Sequence, residues 1–314
     1  MKDTFNHLRE RLNNSLRRAF LKAGLAPPAY KRKAKFFEAI KRNDADAVRA
    51  LLQEHPELIN ARLRLKVISK GKTSFEYIPL LNFVIRRVGG PEEVEVVKTL
   101  TSLFPGLLTE KDEKGRTPLH RYIEAKSSVY YIDLLCEMGA GVNTPDNTGA
   151  TPLHYAAKDL LRAELNGKSL LKNGAWPDAR DENGRTPLMY AARSSSAEGF
   201  IAAVIGAGAD IHATDNEGLT ATTYAIRAKA PWTVLALLRH GGKADFNDPA
   251  TADFLEWVGP RPMAGALREL FSAQKEAFDK VAVGAMVDET SNGLAQTVTV
   301  KPLRYRQRDQ GAPS

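Results

Sequence analysis

The chain has 314 residues, 43% of them apolar and 26% charged, which is core material for one elongated domain or two compact ones and excludes a disordered chain. Its single cysteine, Cys136, excludes an internal disulfide framework and a cysteine-based zinc site. The net charge of +8 sits at one end: residues 1–72 hold 18 Lys/Arg against 7 Asp/Glu and the rest hold 27 against 30, so an electrostatic partner meets the N-terminal quarter.

Met1 to Glu10 are polar and charged where a secretory signal needs an apolar region, and no apolar run approaches the roughly 20 residues that span a bilayer. The expected location is cytoplasmic, in the cell that makes the protein or in another that receives it as a secreted effector. Phe5, Leu8, Leu12, Leu16 and Phe20 recur at helical spacing with Arg11, Arg18 and Lys22 on the polar side, before Pro27-Pro28. This basic helix and linker, residues 1–33, has three readings: a cap on the next folded segment, a membrane-surface helix, or a partner-binding arm.

Further along, Leu63, Leu65 and Val67 alternate with Arg62, Arg64 and Lys66, and Lys70-Gly71 supplies a reversal ahead of Lys72, Phe75 and Tyr77. The spacing predicts a long β-hairpin with one apolar and one basic face.

From residue 112 the chain repeats itself. Gly-x-Thr-Pro-Leu stands at Gly115–Leu119, Gly149–Leu153 and Gly184–Leu188, with a degraded copy from Gly218, so the glycines are spaced by 34, 35 and 34. A second series, Gly139, Gly174, Gly208 and Gly241, is spaced by 35, 34 and 33. Asp112, Asp146, Asp181 and Asp215 precede the first series by three residues, a turn signature. Threonine is then a helix N-cap, proline is tolerated at the first helical position, and leucine begins the buried face. The second glycine series marks the positive-φ stop of a second helix. Gly206 and Gly208 in VIGAGADIHATD therefore belong to a repeat, and Ile211 stands where a dinucleotide loop needs its third glycine. Leu267, Leu270, Phe271 and Phe278 suggest closing helices over 251–283, and from about Gly284 to residue 314 a flexible tail is expected, with a short strand at 298–300.

With Thr-Pro-Leu-His at 117–120 and 151–154, this array resembles the ankyrin-repeat family. The resemblance implies an all-α solenoid of about six helix-turn-helix units with short β-turn fingers, over residues 34–250. The implied units are 34–61, 62–111 with the hairpin as an extended first finger, 112–145, 146–180, 181–214 and 215–250. Asn60 to Pro79 is nineteen residues where later units have nine, which places the insertion, and Pro79 to Pro118 leaves a second, shorter extension near Val88–Pro91.

The resemblance gives His120 and His154 a structural role, bridging neighbouring turns. His7, His55, His212 and His240 are scattered without metal-ligand spacing, and Cys136 stands where other units carry Leu171, Ile205 and Leu238, as a buried apolar group. No catalytic group, metal or cofactor is expected. What remains is surface, and the family's partner contacts fall on finger tips and on the exposed side of each first helix. By register the tips are Lys111, Glu113, Lys114 and Arg116, then Asn147 and Thr148, then Arg180, Glu182, Asn183 and Arg185, then Asn216 and Glu217. The first-helix positions are Glu124, Lys158, Asp159, Arg193 and Arg227. The hairpin adds Arg62, Arg64, Lys66, Lys70 and Lys72, with Phe75 and Tyr77 as anchors. The expected activity is binding of another protein with an acidic surface by a monomer. The other reading is an electrostatic binder of nucleic acid or anionic lipid through residues 1–72.

Overall fold

The computed structural model of the protein describes residues 27–291 apart from 61–62, 70–71, 88–93, 126–129, 160, 195–196 and 260–263. Within them six helical pairs follow one another. They are α1 (Pro27–Lys41) with α2 (Ala45–Glu54), α3 (Leu80–Arg87) with α4 (Val94–Leu103), and α5 (Pro118–Glu124) with α6 (Tyr130–Glu137). Then come α7 (Pro152–Ala157) with α8 (Ala163–Lys172), α9 (Pro187–Ala191) with α10 (Glu198–Gly206), and α11 (Ala221–Arg227) with α12 (Pro231–Arg239). The first helices α3, α5, α7, α9 and α11 stack as one layer; α2 on α4, and α6, α8, α10 and α12 in turn, form the second.

The first helices begin alike because their sequence dictates it. Thr117, Thr151, Thr186 and Thr220 are extended N-caps, and the proline after the first three loses no bond, since the first N–H of a helix has no partner in any case. Second helices stop where Gly139, Gly174, Gly208 and Gly241 take φ of +97°, +84°, +94° and +92°, a region closed to most side chains. Gly206 is instead the last residue of α10, as a repeat requires and a phosphate loop does not.

Leu119, Leu153 and Leu188 from the first layer and Leu135, Leu170, Val204 and Leu237 from the second are buried. Ala156, Ala157, Ala191, Ala192 and Ala225 let the layers approach closely. Burying one such leucine contributes about 1.5–3 kcal/mol, and a single helical pair has too few to be stable alone, so each unit depends on its neighbours. Cys136 is only part-buried, as are Leu171 and Ile205 in the same slot, and its thiol is pushed up to about 11 by desolvation, which suits packing and not nucleophilic chemistry.

The first finger is a two-stranded antiparallel sheet of β1 (Leu63–Ser69) and β2 (Lys72–Ile78). Its register sets Arg64 opposite Tyr77, Lys66 opposite Phe75 and Leu65 opposite Glu76. The expected apolar and basic faces are therefore mixed: the alternation in β1 is regular, but β2 pairs its aromatic positions with the cations and its one acid with a leucine.

After the six pairs, α13 (Pro249–Val258) stacks on α11 as a seventh first helix would, its Ala250 N–H capped by Asp248 at 2.9 Å. A last helix, α14 (Ala264–Ser291), supplies from Leu267 onward all that is described of a second compact unit, Leu267–Ser314. That helix runs past Gly284, where the sequence reading begins a flexible tail. An isolated glycine costs a helix only about 1 kcal/mol relative to alanine, and no proline follows before Ser291. The basic helix expected over residues 5–20, the extension at 88–91 and the strand at 298–300 lie outside the described residues.

Candidate protein-binding face

Four fingers are built on one plan. The Asp146 N–H donates to the Ala150 carbonyl at 2.9 Å, while Asp146 Oδ1 accepts from the N–H groups of Thr148 (2.8 Å) and Ala150 (3.0 Å). Asp112, Asp181 and Asp215 close their fingers by the same two side-chain bonds. Neighbouring fingers are also zipped together, the N–H of Asn147, Glu182 and Asn216 each reaching a carbonyl of the preceding finger at 3.0 Å. Gly149 is fixed twice over: it has φ +77°, and a Cβ there would stand 2.8 Å from Glu182 N.

Behind the fingers runs a second ladder. His120 accepts the Thr117 N–H at Nδ1 (3.2 Å) and places Nε2 3.1 Å from the Ala150 carbonyl of the next unit; His154 does the same with Thr151 (3.1 Å) and Arg185 (3.0 Å). Burial pushes His120 down to about 4. Tyr155, Tyr190 and Tyr224 donate their hydroxyls to Asp146 (2.7 Å), Asp181 (2.6 Å) and Asp215 (2.6 Å). Burial alone would raise these three carboxyls, but the tyrosine hydroxyl and backbone N–H bonds hold each below the usual carboxylate range. In the first finger of this plan the tyrosine slot holds Arg121, whose guanidinium turns to Asp112 (3.7 Å) and Glu124 (3.1 Å).

The residues singled out from the sequence divide by what their charges already do. Arg116, expected at a finger tip, is only 3% exposed: it binds Asp112 at 2.9 Å and Glu124 through both carboxylate oxygens, because the finger turns its side chain inward. Asp159 is likewise buried, its Oδ1 accepting from the N–H groups of Leu161 and Arg162. Lys111 and Arg180 are braces, donating to the carbonyls of Pro145 (2.8 Å) and Thr214 (2.7 Å) one unit along. Arg185 is part-exposed, paired with Asp181 at 2.9 Å and set 5.2 Å over the Tyr190 ring. Lys114 is exposed at its tip, and Arg227 pairs with Asp248 at 2.9 Å.

Lys158 and Arg193 differ from these. Both are exposed, and neither makes an ion pair among the described residues. The Lys158 ammonium lies 5.0 Å and 4.5 Å from the ring centroids of Tyr155 and Tyr190. Partial desolvation there lowers it below the usual lysine value, with Asp146 pulling the other way. Tyr155 and Tyr190 carry no charge and stand outside the residues named from the sequence, as does Arg121; the signal that links them is a tyrosine nine residues after each finger aspartate in three units, with arginine in the fourth. In the hairpin, Arg64, Lys66, Phe75 and Tyr77 hold the register positions given above and Lys72 stands opposite Ser69, while Arg62 and Lys70 lie outside the described residues.

Among the described residues no group of His, Cys, Asp and Glu is placed to hold a metal, and no helix is long and apolar enough to cross a membrane. Residues 88–166 and 160–250 match the family described as ankyrin repeats (3 copies). The chain is 34% identical over 158 residues, 49% of its length, to neurogenic locus notch homolog protein 2 of Homo sapiens, of which that stretch is 6%. To neurogenic locus notch homolog protein 1 of Xenopus tropicalis it is 34% identical over 166 residues, 50% of this chain and 6% of the relative. It is also 26% identical over 135 residues, 42% of its length, to a probable serine/threonine-protein kinase of Dictyostelium discoideum, of which they make up 12%. The chain thus spans about a tenth or less of these curated relatives.

Proposed function

The chain belongs to the ankyrin-repeat family, and on that premise we propose that it is a non-enzymatic protein-interaction module, a cytoplasmic monomer acting as adaptor, inhibitor or effector. The partner sits across the finger row and the first-helix face and is held at one end by the hairpin, whose five cations between residues 62 and 72 have no acid among them. The observation that carries this reading is the finger row itself. Each of the four fingers closes on an aspartate and three backbone bonds zip them in sequence, so exposed tips such as Lys114 and Asn183 are held on a rigid frame and ordered before a partner arrives. A contact of ordinary size covers about 800 Å² on each side, which a few neighbouring units supply.

A pull-down with the full chain and with a variant lacking residues 63–76 tests it. The full chain is expected to retain a discrete protein partner that the deleted form holds at least tenfold more weakly. Equal retention removes the hairpin from the interface, and capture of no protein by the full chain removes the reading.

The concentration of charge in residues 1–72 favours a second reading, an electrostatic binder of nucleic acid or anionic lipid. Neutralising several phosphates makes affinity fall steeply with salt, so retention on an oligonucleotide or an anionic vesicle that changes little between about 50 and 200 mM salt ends this alternative.

A further inference from the structure

Glu124, Lys158, Arg193 and Arg227 occupy one position in four successive units, at the end of each first helix, spaced by 34, 35 and 34 residues. The outer two are neutralised within the chain: Glu124 by Arg116 and Arg121, Arg227 by Asp248. The inner two, Lys158 and Arg193, are left exposed and without an ionic partner among the described residues, in a chain whose remainder after residue 72 holds 27 cations against 30 acids.

From this we infer that Lys158 and Arg193 form a two-point site for an extended acidic segment of the protein partner, one carboxylate side chain to each cation. The inference rests on the protein-binding reading above and names the partner's chemistry at one place on that face. Stacked helices lie ~8–10 Å apart, and an extended chain advances ~3.3 Å per residue, so two acids separated by two or three positions match the two cations. The rings of Tyr155 and Tyr190 flank the Lys158 ammonium, and their hydroxyls are already committed to Asp146 and Asp181. They give the segment an apolar wall and draw water away from the ion pair it forms. Two cations amid finger aspartates are too few for a nucleic acid, which is held by neutralising a run of phosphates.

The probe is a hexaglutamate peptide carrying a nitroxide label, added to the full-length, isotopically labelled protein and read as line broadening of assigned amides. Broadening is expected at Tyr155, Lys158, Tyr190 and Arg193. The site affinity should fall at least tenfold in Lys158→Gln/Arg193→Gln and less than twofold in Arg239→Gln/Lys243→Gln, which removes as much charge elsewhere. Unchanged circular dichroism guards against a folding defect, and each single Gln variant should lose roughly threefold. Broadening confined to residues 1–72, equal losses in the two double variants, or equal broadening of these amides by a nitroxide-labelled oligothymidylate overturns the assignment. If Lys158→Gln/Arg193→Gln keeps a captured partner that the 63–76 deletion loses, the wider reading stands and this site falls.

Discussion

His120 Nε2 stands 3.1 Å from the carbonyl oxygen of Ala150, in the finger of the following unit. With Nδ1 accepting the Thr117 N–H, the ring is held neutral and proton-bearing at Nε2; a second proton would have to displace that bond. The folded ring, near 4, therefore takes up a proton later than the unfolded one, near 6.5. A lowered cationic group makes stability rise with pH across that window, so stability is full above about pH 6.5 and is lost as pH falls towards 4. At pH 5 the loss from His120 is about 2 kcal/mol, and His154, lowered by the same burial, adds in the same direction. Urea melts at pH 7 and pH 5 check this. His120→Gln should flatten the difference, and an unchanged difference contradicts it. The finger carboxyls, held low, lose their contribution only as pH falls further, through their folded values.

The hydroxyl of Tyr155 is the only part of that side chain bonded to Asp146, so Tyr155→Phe isolates one bond. A neutral donor to a carboxylate in a partly buried site is worth about 1–2 kcal/mol. The variant should unfold at lower urea by that amount, and the Asp146 carboxyl should titrate higher, as followed by carbon NMR, while its backbone bonds remain. A stability loss with no movement of the Asp146 titration would show that packing, not the bond, was disturbed.

Gly149 and Gly218 have nearly the same backbone, φ +77° and +80°, and different surroundings. An added Cβ at Gly149 meets the backbone of the next finger at 2.8 Å, whereas at Gly218 nothing lies within 4 Å. Both alanine variants carry the left-handed backbone strain of about 1–2 kcal/mol. Only Gly149→Ala must also push zipped fingers away from each other, so it should be destabilised by at least about 1 kcal/mol more than Gly218→Ala. Equal chemical denaturation midpoints would show that the fingers are less tightly joined than their bonds imply.

Much of this fold was legible because its constraints are local. A glycine at positive φ, a threonine before proline and an aspartate three residues before glycine each specify a turn or cap from a few neighbouring atoms, and their recurrence fixes the stack. The hairpin was legible for the same reason, as a period-two run with a two-residue reversal. Its faces were not, since which β2 residue meets Lys66 or Leu65 depends on register and not on either strand alone. The binding face was the least legible region. Arg116 and Lys158 look alike as letters, and only folding decides that one guanidinium is enclosed by Asp112 and Glu124 while the other cation has aromatic neighbours and no acid paired with it among the described residues.

That difference can be measured on two arginines. Arg116 is buried and shared between two carboxylates, so Arg116→Ala takes from Asp112 its 2.9 Å partner, leaving it the longer 3.7 Å contact with Arg121, and leaves Glu124 to Arg121 alone. Removing one member of a buried ion pair costs about 3–5 kcal/mol, and Glu124, being half exposed, brings the expectation to the lower end of that range. Arg193 is exposed and unpaired among the described residues, so Arg193→Ala should stay within about 0.5 kcal/mol of the parent. Partner capture at a temperature where both variants remain folded should show the converse order, Arg193→Ala weakened and Arg116→Ala retained. If Arg116→Ala melts with the parent and loses the partner, its guanidinium is presented outward in solution and the finger's inner ion pairs are not what holds it.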